Sequence, residues 1–143
     1  MNNIITALNK AFLKLKPSRS EINEFKANFK RLFTLINDNE SEEYNKNLIS
    51  DFLKDTYYKQ TYFMNTKERK DLVIHNGAQP NDTVGVIIEA KKFSNKSEMV
   101  SKENLNTKAL QELVWYFLGE RITQKNIEIK HLIITNVYEL SLI

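Results

Sequence analysis

Three side chains in this sequence have types and spacing suited to metal-assisted chemistry: Asp71 and, eighteen residues further on, Glu89 with Lys91. Glu89 and Lys91 sit two apart near the end of residues 83–91 (TVGVIIEAK), a run that reads as a strand. Alternate strand residues project to one face, so the pair points together and Ala90 points away. The neighbours Val84, Val86, Ile87 and Ile88 are core-like, and charges that end a buried strand are costly unless paired or bound to a metal. Two carboxylates and a backbone carbonyl offer the hard oxygen ligands that Mg²⁺ prefers, with Mn²⁺ expected to substitute. Such an ion would polarise a phosphodiester and lower the pKa of a bound water. A lysine beside it would orient that water or stabilise charge growing on phosphorus. The metal would also depress the lysine's own pKa, which suits a base. The plainer alternative is an exposed strand-end ion pair, which is worth little.

The elements that must position these residues follow from periodicity. Residues 2–15 place Ile4, Ile5, Leu8, Ala11, Phe12 and Leu15 at helical spacing. Pro17 ends that helix, since proline disfavours a helical conformation in the residue before it. Ser18 and Glu21 have capping-box spacing for a second helix. It runs to about residue 37, with Ile22, Phe25, Phe29, Leu32, Phe33 and Ile36 along one face. A third helix is predicted over about 42–56, with Tyr44, Leu48, Ile49, Phe52 and Leu53 on one side. Glu42 sits at the edge of that side and Glu43 points away, at about 100° per residue. Residues 70–75 (KDLVIH) and 83–91 flank the turn-rich 76–82 (NGAQPND) and read as a β-hairpin. Residues 93–102 form a polar loop. A fourth helix spans 105–120, with Ala109, Leu110, Leu113, Val114 and Phe117 inward, and a third strand spans 127–137. Strand, helix, strand in this order implies a parallel pair joined by a right-handed crossover. The expected fold is mixed α/β, with helices flanking a small mixed sheet that has a central hairpin.

Length and composition fit one domain. The chain has 143 residues, enough to bury a core without staples. No cysteine is present, which removes disulfides, thiolate metal sites and cysteine nucleophiles, and a reducing, cytoplasmic compartment is expected. No stretch approaches the roughly 18 apolar residues needed to span a bilayer. The start, MNNIITALNKAFLKLK, is amphipathic and does not read as a signal peptide. The formal net charge of +3 permits nucleic acid as a partner without demanding it. Seven Lys or Arg stand against two acids through residue 36.

Asp71 followed by Glu89-Ala90-Lys91 on a hairpin between helices resembles the PD-(D/E)xK nuclease superfamily, with Lys70 where that motif usually has proline. The segments SEEYNKNLISDFLKDTYY, DLVIHNG, VGVIIEAKK, KALQELVWYFLGER and IKHLIITNVYE, over roughly residues 20–139, resemble the N-terminal endonuclease region of type IIG (Eco57I-like) fused restriction–modification enzymes. The resemblance implies a restriction-endonuclease-like core and a Mg²⁺-dependent DNA endonuclease acting on double-stranded DNA. It implies a single nuclease domain over 1–143, with N-terminal helices about 2–37 and a catalytic core about 42–139. No Asn-Pro-Pro-Tyr-like motif and no Gly-rich cofactor loop occurs, so only the nuclease half carries over. The methyltransferase and target-recognition regions would belong to a longer polypeptide of which this chain is a truncated part. Double-strand cutting would favour a homodimer on DNA. The competing expectation is a catalytically silent DNA-binding or interaction module that keeps the nuclease scaffold.

The resemblance also implies a metal-holding glutamate on the first core helix, for which Glu42 is favoured over Glu43, and a glutamine on the helix after the lysine. Gln111, four residues before Trp115, has that spacing. Asp71, Glu89 and Glu42 would hold the metal, and Asp71, Glu89, Lys91 and Gln111 would carry the chemistry. Lys92, Lys96 and Lys108, with Lys102, follow the motif and would meet phosphates; a solvated polar face explains them equally. Trp115, Tyr116 and Phe117 are more often core than a base-stacking platform, and His75 and His131 have no partner at metal spacing.

Overall fold

Two β-branched runs, Leu72–His75 and Val84–Ala90, form the middle of the sheet because nearly every side chain in them is buried. Strands covered on both faces need apolar residues at consecutive positions, which LVIH and VGVII supply. The computed structural model describes residues 10–11, 14–67 and 72–143. Its helices are α1 (Arg19–Leu35), α2 (Glu42–Leu53) and α3 (Lys108–Leu118). The strands are β1 (Met64–Asn65), β2 (Leu72–His75), β3 (Val84–Ala90), β4 (His131–Thr135) and β5 (Leu140–Leu142), in spatial order β1-β2-β3-β4-β5. β3 and β4 are parallel and every other pairing is antiparallel. This is the mixed α/β class expected, with the hairpin at its centre and α3 as the crossover between the parallel strands.

Each helix starts where the sequence supplies a cap. Ser18 and Glu21 form the expected capping box, the Glu21 N–H donating to Ser18 Oγ at 3.2 Å and the Ser18 N–H to Glu21 Oε2 at 2.7 Å. Ser41 caps α2, accepting the Tyr44 N–H at 3.1 Å, and Thr107 caps α3. α2 and α3 both run on into π-helical turns, at Lys54–Tyr58 and Gly119–Thr123. The helix expected over 2–15 lies largely outside the described residues.

The sheet separates two apolar layers. On one face Val73, Ile87 and Ile134 pack with Ala109 and Leu113 of α3. On the other, Leu72, Ile74, Ile88 and Ala90 pack with Ile49 of α2. An irregularity between Ile74 and His75 pairs His75 with Val84, so β3 carries Gly85 as an extra residue and Val84 turns to the α3 face. A side chain at Gly85 would run into the Asn76 side-chain amide, which would have to move to admit it. A third apolar group, Leu32, Leu48 and Phe93, joins α1 and α2 to the segment after β3.

Three sequence expectations change in detail. Val114 is exposed and Tyr116 packs inward in its place, because the inward stripe of α3 runs through Ala109, Leu113 and Tyr116. The last long strand is confined to His131–Thr135, and Val137, with φ of 74°, turns the chain back. The return strand β5 and the two-residue β1 were not expected; both are too short for a period of two to register. Among the described residues, no helix is long and apolar enough to cross a membrane.

Leu113, fully buried against Ile87 and Ile134, makes a direct test of this layering. Leu113→Ala is expected to cost about 2–5 kcal/mol in urea unfolding, as large-to-small changes in a packed core do. Leu105→Ala, at an exposed position, is expected to stay within about 0.5 kcal/mol.

Candidate functional site

Strand alternation places Glu89 and Lys91 on the face of Ile87, toward α3, and both are buried, at 2% and 3% exposure. The Lys91 N–H continues the parallel ladder past the end of β3, donating to the Thr135 carbonyl at 2.8 Å. The ammonium therefore ends at a fixed point beside the C-terminal ends of two parallel strands. Open α/β sheets commonly bind ligands outside those ends.

Four carboxylates from four parts of the chain meet that ammonium. Lys91 Nζ lies 2.7 Å from Glu89 Oε1, 2.8 Å from Glu112 Oε2 on α3, and 3.5 Å from Glu98 Oε2 in the intervening loop. Glu42, in the first turn of α2, reaches it at 3.9 Å. Lys108 adds a second cation 3.7 Å from Glu112.

Charge follows geometry. Burial by itself would lower the Lys91 pKa, but the hydrogen bonds to Glu112 and Glu89 and the field of Glu89 and Glu42 outweigh it, and the pKa is raised well above the ordinary lysine value. In the metal-free site the carboxylates around Lys91 favour its charged form, whereas the depression expected from the sequence belongs to a site that holds a cation. Burial would likewise raise the Glu112 carboxyl, yet hydrogen bonds with Lys91 and Glu89, and the charges of Lys91 and Lys108, hold it below the ordinary glutamate value.

The structure brings together Glu89, Lys91 and Glu42. Asp71 lies outside the described residues; its sequence neighbour Leu72 pairs with Ile88, the residue before Glu89. Glu43 is exposed and pairs with the largely buried Lys46 on α2. Gln111 is turned away, its amide donating to Asn106 Oδ1 at 2.8 Å, and the next residue, Glu112, faces Lys91 instead. Lys96 and Lys108 are exposed and Lys92 is half-buried. Trp115 is exposed on α3.

Two members of the cluster, Glu98 and Glu112, were missed. Glu112 had a legible signal: it lies three residues after Ala109 and four before Tyr116, so it is a glutamate on the inward stripe of the helix. Glu98 sits in a loop and had none.

The donor set consists of carboxylate oxygens, which suits a hard divalent ion. No group of three acidic or histidine side chains among the described residues is already arranged as a metal cage. The fit therefore rests on the chemistry of Glu42 and Glu89, with Asp71 as the third expected ligand.

Fold and site together define a mixed α/β protein with a buried lysine–carboxylate centre at the ends of its parallel strands. Over residues 2–142 the chain belongs to the family described as a domain of unknown function (DUF7149). No curated protein and no solved structure matches it.

Two measurements probe the centre. Lys91→Met strands a buried Glu89 and is expected to cost about 3–5 kcal/mol in urea unfolding, whereas Lys91→Met with Glu89→Leu should recover much of that loss. Equal losses in the single and double variants would show that Glu89 does not depend on its lysine. The second is pH dependence. Because the Glu112 pKa is depressed in the folded state, its stabilisation is present above 4.5 and is lost as pH falls through the folded value. The urea midpoint of Glu112→Gln should therefore fall less steeply than that of the wild type on acidification below 4.5.

Proposed function

We propose that this protein is a Mg²⁺-dependent DNA endonuclease domain of the PD-(D/E)xK kind, with a restriction-endonuclease-like core and a cytoplasmic site of action. The observation that carries this reading is the convergence of Glu89, Lys91 and Glu42, from the central strand and the first core helix, at the end of a hairpin-centred mixed sheet. The resemblance in sequence assigned roles to those three residues, and the structure holds Lys91 Nζ within 3.9 Å of both acids.

Asp71, Glu89 and Glu42 would hold the metal. When bound, the metal supplies Lewis acidity toward a phosphodiester oxygen and a more acidic water. Lys91, kept as an ammonium by its carboxylates, acts as a hydrogen-bond donor and a fixed positive charge. Its role is to orient water and to offset charge growing on phosphorus. Glu112 takes the position expected for Gln111 and fixes the Lys91 ammonium from the helix side. The exposed Lys96 and Lys108, with Lys92, supply charge for the DNA backbone, while base readout needs groups outside this set.

Supercoiled plasmid incubated with Mg²⁺ or Mn²⁺ tests the proposal. Cutting is expected with either ion, to stop with chelator, and to fall about 10²–10³-fold in Asp71→Asn, the range seen when one electrostatic contribution to a transition state is removed. Glu42→Gln should raise the Mg²⁺ needed for half-maximal cutting, and Glu43→Gln should not. Salt-dependent DNA binding without any metal-stimulated cutting would instead identify a silent DNA-binding module.

A further inference from the structure

α2 covers only part of its side of the sheet. Ile49 packs with Leu72, Ile74 and Ile88, which lie in β2 and β3. Ile133 of β4 pairs with Ile88, and Leu142 of β5 pairs with Ile133, so all three share the α2 face. Among the described residues that half of the face stays open, with Leu140 56% and Leu142 48% exposed. The opening is an apolar groove of about 230 Å³. Tyr58, Ile74 and His131 line one end, and Val137 and Leu140 line the other. α1 runs beside it in the same direction. Its Phe25 meets Tyr57, next to Tyr58, with ring centroids 6.5 Å apart, and its Phe33 meets Tyr138, next to Val137, at 5.9 Å. Phe25, Phe29 and Phe33 are themselves exposed. A continuous apolar surface of this kind marks a place that something covers.

The chain carries a cover of the right pattern and reach. Before α1, Ile4, Ile5, Leu8 and Phe12 recur at helical spacing. Lys10 and Lys14 fall on the opposite side of such a helix, at about 100° per residue, and stay in water. Residues 15–18 are non-helical and lead directly into α1 at Arg19, with Leu15 exposed. Helices joined by so short a connection pack as antiparallel neighbours. A helix over 2–14 would span about 20 Å, and Phe29 lies about 15 Å along α1 from Arg19. A segment returning beside α1 therefore enters the groove at its His131 end and reaches Leu140.

We propose that residues 2–14 fold back antiparallel to α1 as a helix that fills this groove with Ile4, Ile5, Leu8 and Phe12. Phe12 lies at the His131 end and Ile4 at the Leu140 end, and the segment completes the cover of the β4–β5 half of the sheet. This role stands apart from nuclease activity.

NMR and unfolding measurements on the full chain test it. In the wild type, Leu8 and Phe12 should show cross-peaks to the methyl groups of Val86, Ile133 or Leu140. Leu8→Asp should lower the folding equilibrium constant about tenfold or more, since it withdraws one buried leucine. It should also raise the fluorescence of a dye that binds apolar surface. Asn3→Asp, with the same charge on the far side of the helix, should do neither. In a mixture of isotope-labelled and unlabelled chains, the cross-peaks should arise within one chain. Cross-peaks found only between chains would show that the groove takes a second copy, and the proposal fails. It fails equally if the wild type shows no such cross-peaks, or if Leu8→Asp behaves as Asn3→Asp does. Binding of the wild type to anionic phospholipid vesicles, lost in Leu8→Asp, would make the segment a free membrane-surface helix and overturn the idea. If Leu8→Asp does not fold, the wild-type cross-peaks decide.

Discussion

The burial of one ammonium organises this protein. Lys91 is almost wholly removed from water, and the desolvation of such a charge costs several kcal/mol unless other groups compensate. Compensation comes from Glu89 two residues back, Glu98 in the following loop, Glu112 on the crossover helix and Glu42 on the helix that covers the opposite face. Four segments distant in sequence must therefore arrive together. The layers on either side of the sheet are apolar and tolerate many arrangements. The ion cluster at its end constrains how α2, α3 and the loop between β3 and α3 sit relative to the end of β3.

The same interaction sets the charge state. Carboxylates around a buried lysine keep it protonated, and the lysine in turn keeps Glu112 ionised despite partial burial. The centre is thus a preorganised set of opposite charges in a region of low dielectric, where each charge acts more strongly than it would in water. A lysine in that state donates hydrogen bonds and stabilises negative charge. In the proposed nuclease it answers the charge of a phosphodiester.

Asn45, one turn after Glu42, and Asn136, next to Thr135, are fully buried, so the polar character of this end of the sheet extends past the ion cluster. Asn45 shares a helix face with Leu48 and Ile49, both core residues, so its presence there is a departure from apolar patterning that packing does not explain. Such departures within a core tend to mark places where position matters more than stability.

Much of the architecture was legible in the sequence. The hairpin, the capping box at Ser18, the three helices and the parallel third strand all follow from periodicity and turn chemistry, which are local. Strand alternation alone put Glu89 and Lys91 on one face, and the wheel of α2 agreed with the choice of Glu42 over Glu43 that the resemblance and the spacing to Phe52 and Leu53 favoured. What the sequence left open depends on non-local approach. Whether Gln111 or Glu112 faces Lys91 is decided by the rotation of α3 on the sheet, set by Ala109 and Leu113 packing on Val73, Ile87 and Ile134. Glu98 joins only because its loop folds back over the end of the strand. The sign of the Lys91 pKa shift required knowing how many carboxylates surround it. Sequence determines which side chains share a face, because that is a property of one helix or strand. Only the tertiary structure decides which faces meet, and here that meeting fixes the charge of the site.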